Sequence, residues 1–477
     1  MRFFVRHRHF HLATRGPIAL AVLAALMLSP SALGAPAPQR HHQPAPQSGA
    51  LSQLGGAHGC LVDRSARPGG CGTARALAGP GPFMGSRAIV VSPDGKNVYV
   101  AASKSDAIAI FKRDPDSGRL TQPPGTGGCI AAKGGGCATA VGLDGPNSVA
   151  ISPDGLDVYA TSRGSNTISV FHRNRSTGAL SQLPGAAGCT SGLPVPVCAS
   201  GRALVGPDVV VVSPSGTNVY VGSFFGNAVA VFDRDRASGA LTQPGDSTGC
   251  IAEAISGCTT GIALGAPEGM AISADGANVY VASALSNAVA VLARDQSTGT
   301  LTQATDGSGC IVESALSGCA AGVQLSGANA VVFNPGGDVY VTSLFSDSIT
   351  SFGRSPSGAL TQRKGTAGCL VYLRATGCSF GRALVAPEGL TISPDGANVY
   401  VAAFATGAID VLERGKKSGT VNQLAGRAGC LAPRSVPGCT RARALRGVSS
   451  IALSPDGRYL YSTSFASNAV DVFRRSK

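Results

Sequence analysis

Polar and apolar positions along this chain follow a long period. A Tyr set inside a short β-branched run recurs at Tyr99, Tyr159, Tyr220, Tyr280, Tyr340, Tyr400 and Tyr461, spaced by 60 or 61 residues. Between these points no segment holds the roughly three-to-four-residue apolar spacing of an amphipathic helix, whereas short apolar runs bounded by turn residues abound. Residues 267–303 are typical. Apolar runs at Met270–Ser273, Val279–Ser283 and Ala288–Ala293, then a short Thr300–Gln303, are separated by turns and predict a four-stranded antiparallel meander. A unit this small buries its faces only against neighbouring copies of itself.

The first turn recurs as SPDG at Ser92–Gly95, Ser152–Gly155, Ser393–Gly396 and Ser454–Gly457. Pro presets its torsion, Asp bonds back to the backbone and Gly takes the positive φ, so these Asp residues read as turn formers. Ser215 and Gly336 replace that Asp in units three and five. The first run of each unit, such as Val209–Val212, is apolar on both faces, as a sheet sandwiched between two others requires. Seven such sheets predict an all-β, seven-bladed β-propeller of four-stranded antiparallel blades. The chain ends after a third strand, while SGALSQLGGAHGC at 48–60 matches the fourth strand of a unit. The N-terminal strand is therefore expected to join the last blade and close the ring, removing exposed edges.

Residues 1–35 stand apart. Arg2, Arg6, Arg8 and Arg15 precede an apolar stretch, Ile18–Leu28, and then small residues around Ala32, Gly34 and Ala35. That order reads as a secretory signal peptide, the alternative being an uncleaved anchor. Residues 36–49 are rich in Pro, Gln and His and read as a disordered linker, leaving 50–477 as the propeller. Export makes disulfides the default state of the 14 cysteines, which fall one pair per unit. Repeat symmetry leaves two simple schemes, within a unit or between successive units. Pairing within the unit closes the shorter loop and is the expected one: Cys60–Cys71, Cys129–Cys137, Cys189–Cys198, Cys250–Cys258, Cys310–Cys319, Cys369–Cys378 and Cys430–Cys439. Their spacing does not suit zinc.

NVYVAS and its variants, preceded by SPDG and followed by VxVFxRDxxTGxLTQ, resemble the seven-bladed lactonase-like propellers and the related YVTN-repeat surface proteins. The resemblance covers residues 50–477. It implies the propeller fold and either cytosolic lactone-processing enzymes or exported proteins. WD and GH signatures are absent, as is Trp, which argues against a WD40 propeller. The resemblance also implies His, Arg and Glu gathered in the central mouth, yet the propeller holds only His58 and His172, neither at such a position. Ser/His/Asp sets, GxSxG elbows and phosphate-cradling loops are missing too.

A functional site is expected where the repeat breaks its own symmetry. The residue opening each innermost strand is Arg87, Asn147, Asp208, Glu268, Asn329, Glu388 or Ser449, all polar and placed round one mouth of the channel. Asn147, Asp208, Glu268, Asn329 and Glu388 form an oxygen-bearing arc that could take Ca²⁺; a hydrated rim is the plain alternative. On the same face, Lys104 and Arg163 replace the apolar residues of later units, which are Phe224, Ala284, Leu344, Phe404 and Phe465. Arg87, Lys104 and Arg163 thus set a basic sector beside the acids, a ligand-binding set for a small organic molecule. In a hydrolase, Glu268 or Glu388 would serve as general base and Arg87 would stabilise the oxyanion.

The net charge of +13 falls to +9 without the four leader arginines. Much of it lies in an Arg ending each third strand, from Arg113 to Arg475, a distributed ring that reads as structural. Nucleic acid would require clustered cations with exposed aromatics, so it is not an expected partner. The expected product is a monomeric protein without a transmembrane helix once the signal is cleaved. It is expected to be secreted or held at the cell envelope, binding a small molecule or an envelope or protein partner. A secreted lactonase-type hydrolase is the alternative.

Overall fold

A computed structural model describes residues 47–67, 69–81, 87–334, 336–433 and 436–477. The segments read as signal peptide, 1–35, and as linker, as far as residue 46, lie outside the described residues. Gln47–Gly49, read as linker, already bond to the last blade: Gly49 N donates to Ser476 O at 2.9 Å and Ser476 Oγ to Gln47 O at 2.5 Å.

Seven sheets are present, one per repeat, as the periodicity predicts. In the second blade the order runs from the innermost strand Pro146–Ile151 through Asp157–Ser162 to Thr167–Arg173. The blade is richer than a four-stranded meander. Its third strand carries two separate outer partners, Leu180–Gln182 on one half and Cys189–Ser191 on the other, and a short strand, Ala199–Ser200, pairs parallel with the latter. The three-residue disulfide strands are too short and too polar in their flanks to register as strands in the sequence pattern.

In the last blade, Ala469–Arg475 is followed in the sheet by Leu51–Gln53, Cys60–Asp63 and Gly72–Ala74. The N-terminus thus closes the ring as expected. All seven disulfides form within their units, with Cα–Cα distances of 4.7–4.9 Å. Each joins an outer half-strand to the first residue of the parallel strand or the loop just before it, pinning a segment with little apolar surface of its own. Among the described residues no helix is long and apolar enough to cross a membrane.

The core lies between blades. One cluster joins Val209, Val211 and Val229 of the third blade to Met270, Val279 and Val281 of the fourth, and equivalent clusters follow round the ring. The recurrent Tyr and Arg form one clamp across each junction. Arg173 Nε donates to Tyr99 Oη of the preceding blade (2.8 Å), Nη1 to its own turn at Gly155 O (3.0 Å), and Nη2 to Asp94 (2.9 Å) and Asn97 (2.6 Å). Tyr99 Oη donates onward to Gly178 O at 2.9 Å. The Arg–Tyr bond recurs at all seven junctions, including Arg113–Tyr461 across the closure. The SPDG Asp is therefore both a turn residue and an inter-blade acceptor. Where Gly336 removes it, Asp338 receives Arg414 instead; where Ser215 removes it, Arg294 keeps Asn218 at 2.6 Å.

Candidate functional site

The strand-opening positions sit opposite the clamp, beside the loops between second and third strands, because Pro146 pairs with Ser162 and its counterparts do likewise. They do not form a hydrated rim. Asn147, Asp208, Glu268, Asn329, Glu388 and Ser449 are all buried, the three acids no more than 1% exposed.

Three of the polar residues are explained by packing. Asn147 Nδ2 donates to Asp208 O at 3.1 Å, Asn329 Nδ2 to Pro387 O at 2.9 Å, and Ser449 Oγ to Gly81 O at 2.6 Å. Each is a side-chain donor satisfying a backbone carbonyl of the next blade. An ionised carboxylate has no proton to donate in that bond. Asp208, Glu268 and Glu388 place titratable acids where the other blades carry neutral donors, and so depart from the repeat.

Asp208 is held by Arg163, whose Nη2 lies 2.5 Å from Oδ1, and by the Asn147 amide on the same oxygen. Arg163 itself lies against Phe224, guanidinium carbon 4.8 Å from the ring centroid. Lys104 makes the matching contact with Phe465, Nζ 4.3 Å from its centroid. The two basic residues that seemed to replace aromatic neighbours therefore stack on them, a contact worth about 0.5–2 kcal/mol. Burial pushes Asp208 up to about 6, against the lowering effect of Arg163 and Asn147. Burial, reinforced by the Asp208 charge, raises Glu268 well above the usual carboxylate range. Two adjacent acids in a dry site hold one proton more readily than none. Of the two, Glu268 is the one that burial and the Asp208 charge drive toward holding a proton, whereas the sequence cast it as base.

In the fourth and sixth blades the acid is followed by glycine, as Pro267-Glu268-Gly269 and Pro387-Glu388-Gly389. A Cβ at Gly269 would stand 2.4 Å from Asn329 O, and one at Gly389 2.4 Å from Ser449 O. Glycine lets the adjoining inner strand approach just where each Glu is set. That doubled PEG was a legible signal which position-by-position reading missed.

Arg87 departs from its expected place. Pro80 bridges Ala102 as Pro146 pairs with Ser162, while Ile89 pairs with Val100 as Val149 pairs with Ala160, so the chain is six residues longer between Pro80 and Ile89 than between Pro146 and Val149. Gly81 accepts the inter-blade bond in the ring. Arg87 instead lines the central shaft, where burial lowers its guanidinium to about 10.

Among the described residues no group of three or more His, Cys, Asp or Glu side chains could hold a metal ion. The arc expected to embrace Ca²⁺ is divided: its amides are committed to inter-blade bonds and Asp208 to Arg163, which does not fit six to eight converging oxygens. His58 ends the short 3-10 turn just before Cys60, outside the Cys60–Cys71 loop, and His172 Nδ1 is 3.3 Å from Asp157 Oδ1 at the clamp end. Two further buried acids escaped the sequence reading, Asp410 and Asp471, each interrupting an apolar third strand. Gln423 Nε2 donates to Asp410 at 2.6 Å; Ser464 Oγ donates to Asp471 at 3.1 Å. Burial raises both carboxyls strongly.

On the mouth face the hairpin tips of three consecutive blades expose Phe225, Leu285 and Phe345 at 62–68%.

The family model described as lactonase, 7-bladed beta-propeller, matches residues 82–137, 137–252, 202–314 and 270–437. No curated protein matches the chain. Among solved structures, a Bacteroides fragilis protein provisionally named a 6-phosphogluconolactonase is 18% identical, covering 74% of this chain and 85% of that one, with a TM-score of 0.50. The hydrazine synthase of Kuenenia stuttgartiensis is 18% identical over 82% and 96% of the respective chains, TM-score 0.50. The periplasmic gluconolactonase of Pseudomonas aeruginosa is 20% identical over 70% and 82%, TM-score 0.46. At these identities the likeness is one of fold.

Proposed function

The chain belongs to the seven-bladed β-propeller lactonase family, and from that premise we propose that it is an exported, disulfide-braced propeller that binds a partner at the cell envelope through its mouth face. Seven disulfides suit an extracytoplasmic compartment. The reading rests above all on the exposed Phe225, Leu285 and Phe345, which offer apolar contact on three adjacent blades around a closed, polar ring. Arg163 and Lys104 flank that ring, and Asn147, Asn329 and Ser449 hold it rigid.

The test is co-sedimentation of the mature protein with cell-envelope fragments. Binding that disappears in a Phe225→Ser, Leu285→Ser, Phe345→Ser triple variant of unchanged melting temperature supports the reading; equal binding by the variant overturns it.

A lactone hydrolase is the second reading, favoured by one observation. Glu268, raised by burial, and Asp208, near 6, form an acid and base pair of the kind that proton transfer at neutral pH needs. In that case Glu268 would protonate the leaving oxygen, Asp208 or Glu388 would activate water, and Arg163 would steady the carboxylate. A screen of sugar and acyl lactones separates the two readings. Turnover abolished by Glu268→Gln with folding intact selects the hydrolase; rates equal in wild type and variant select the binding protein.

A further inference from the structure

The channel behind the mouth is a second, chemically different space. It has a volume of about 580 Å³ and runs from Arg87 to the clamp-end turns, where Pro214, Ala274 and Asn334 line it. Its wall is made of the last residues of the inner strands, among them Ile151, Val212, Ile272, Phe333, Ile392 and Leu453, all partly exposed to the lumen. These side chains also pack against the inter-blade clusters, and the apolar surface they leave uncovered in the shaft is unfavourable by about 25 cal/mol for each Å². Arg87 is the one charged residue in the lining, and its guanidinium makes no hydrogen bond or ion pair among the described residues.

An apolar wall with a single oriented charge is the design of a pocket for a molecule of two characters. We propose that the shaft binds an amphipathic carboxylate, its head paired with Arg87 and its alkyl or aryl tail laid along the inner-strand wall. The guanidinium fork matches a carboxylate in bidentate fashion, and only one negative charge is matched, which disfavours dianions. The site is separate from the mouth acids and stands even if the mouth binds nothing.

Decanoate is the probe, titrated calorimetrically into the mature protein below its micelle concentration. The expected result is saturable binding of one decanoate per chain, weakened by about tenfold or more in Arg87→Met and retained in Arg87→Lys. Decanol should bind as weakly to wild type as decanoate does to Arg87→Met. Ala452→Phe, which narrows the shaft and leaves Arg87 in place, should abolish binding. Glu268→Gln should bind decanoate normally, which distinguishes failure here from failure at the mouth. Absence of saturation, equal affinity in Arg87→Met, or equal binding by Ala452→Phe would overturn the proposal.

Discussion

At the clamp end of the inner strands, Arg173 joins Tyr99, Asp94 and Asn97 of the preceding blade, and an Arg–Tyr bond of the same kind recurs at every junction. At the mouth end, Asn147, Asn329 and Ser449 also bond to the next blade, whereas Asp208, Glu268 and Glu388 put carboxyls at the same position. The first region is a repeated solution to a repeated problem, holding wedge-shaped sheets together. When one of its parts is lost, another compensates, as Asp338 does beside Gly336. The second region uses the same backbone geometry and breaks the pattern at three positions, placing buried acids where a neutral donor would serve stability better. Such departures are where a repeat protein can afford chemistry.

The largest effect expected from breaking this contrast is at the clamp. Arg173→Met should lower stability by about 3–5 kcal/mol, since it strands Asp94 and Tyr99 at the junction, as measured by denaturant unfolding under oxidising conditions. A loss below about 1 kcal/mol would mean that apolar inter-blade packing alone holds the ring.

Next in size is the disulfide brace. Cys189→Ser with Cys198→Ser should cost about 2–3 kcal/mol through the unfolded state, with sheet content in circular dichroism unchanged.

Asn147→Ala against Glu268→Gln sharpens the comparison within the ring itself. The first should destabilise by about 1–2 kcal/mol, because the Asp208 carbonyl and carboxylate each lose a donor. The second should leave the melting temperature equal or higher, because it removes a carboxyl that burial disfavours in ionised form. A destabilised Glu268→Gln would place Glu268 among the structural residues.

The smallest effects are in pH dependence, and they have opposite signs in the two kinds of acid. Hydrogen bonds from Ser393 and the Ala397 backbone, with Arg475, outweigh burial and hold Asp395 at about 2; Asp456 is held there in the same way by Ser454, the Arg458 backbone and side chain, and Arg113. A depressed carboxyl contributes stability above its unfolded value, near 4, and that contribution is lost as pH falls toward 2. Asp410 is raised by burial, so its folded form favours the proton and stability falls as pH rises above about 4. Asp410→Asn keeps the Gln423 contact. It should raise the melting temperature at pH 8, have little effect at pH 4, and flatten the alkaline side of the wild-type profile.

Much of the fold was legible because it is periodic. Tyr99 and its six counterparts, the SPDG turns and the displaced SGALSQL strand each announce a blade or its closure, since every blade solves the same burial problem with the same residues. Legibility ended where register mattered. Arg87 aligns with Asn147 along the chain, yet the six-residue excess between Pro80 and Ile89 hands the ring position to Gly81 and leaves Arg87 in the shaft. Nor could alignment separate Asn147 from Asp208, which are both polar at the same position; only the direction of the inter-blade hydrogen bond does so.

The sequence by itself determined the number of blades and the way the ring closes, because local strand pattern and short-range spacing are enough for each, and it narrowed the cysteines to two pairing schemes. The tertiary structure decided which polar residues are structural and which are exceptional. It also raised the carboxyls of Glu268, Asp410 and Asp471, and it set one guanidinium in an apolar shaft. Those outcomes depend on burial and on neighbours about 60 residues or more apart in sequence, and desolvation is a property of the assembled ring, not of any unit within it.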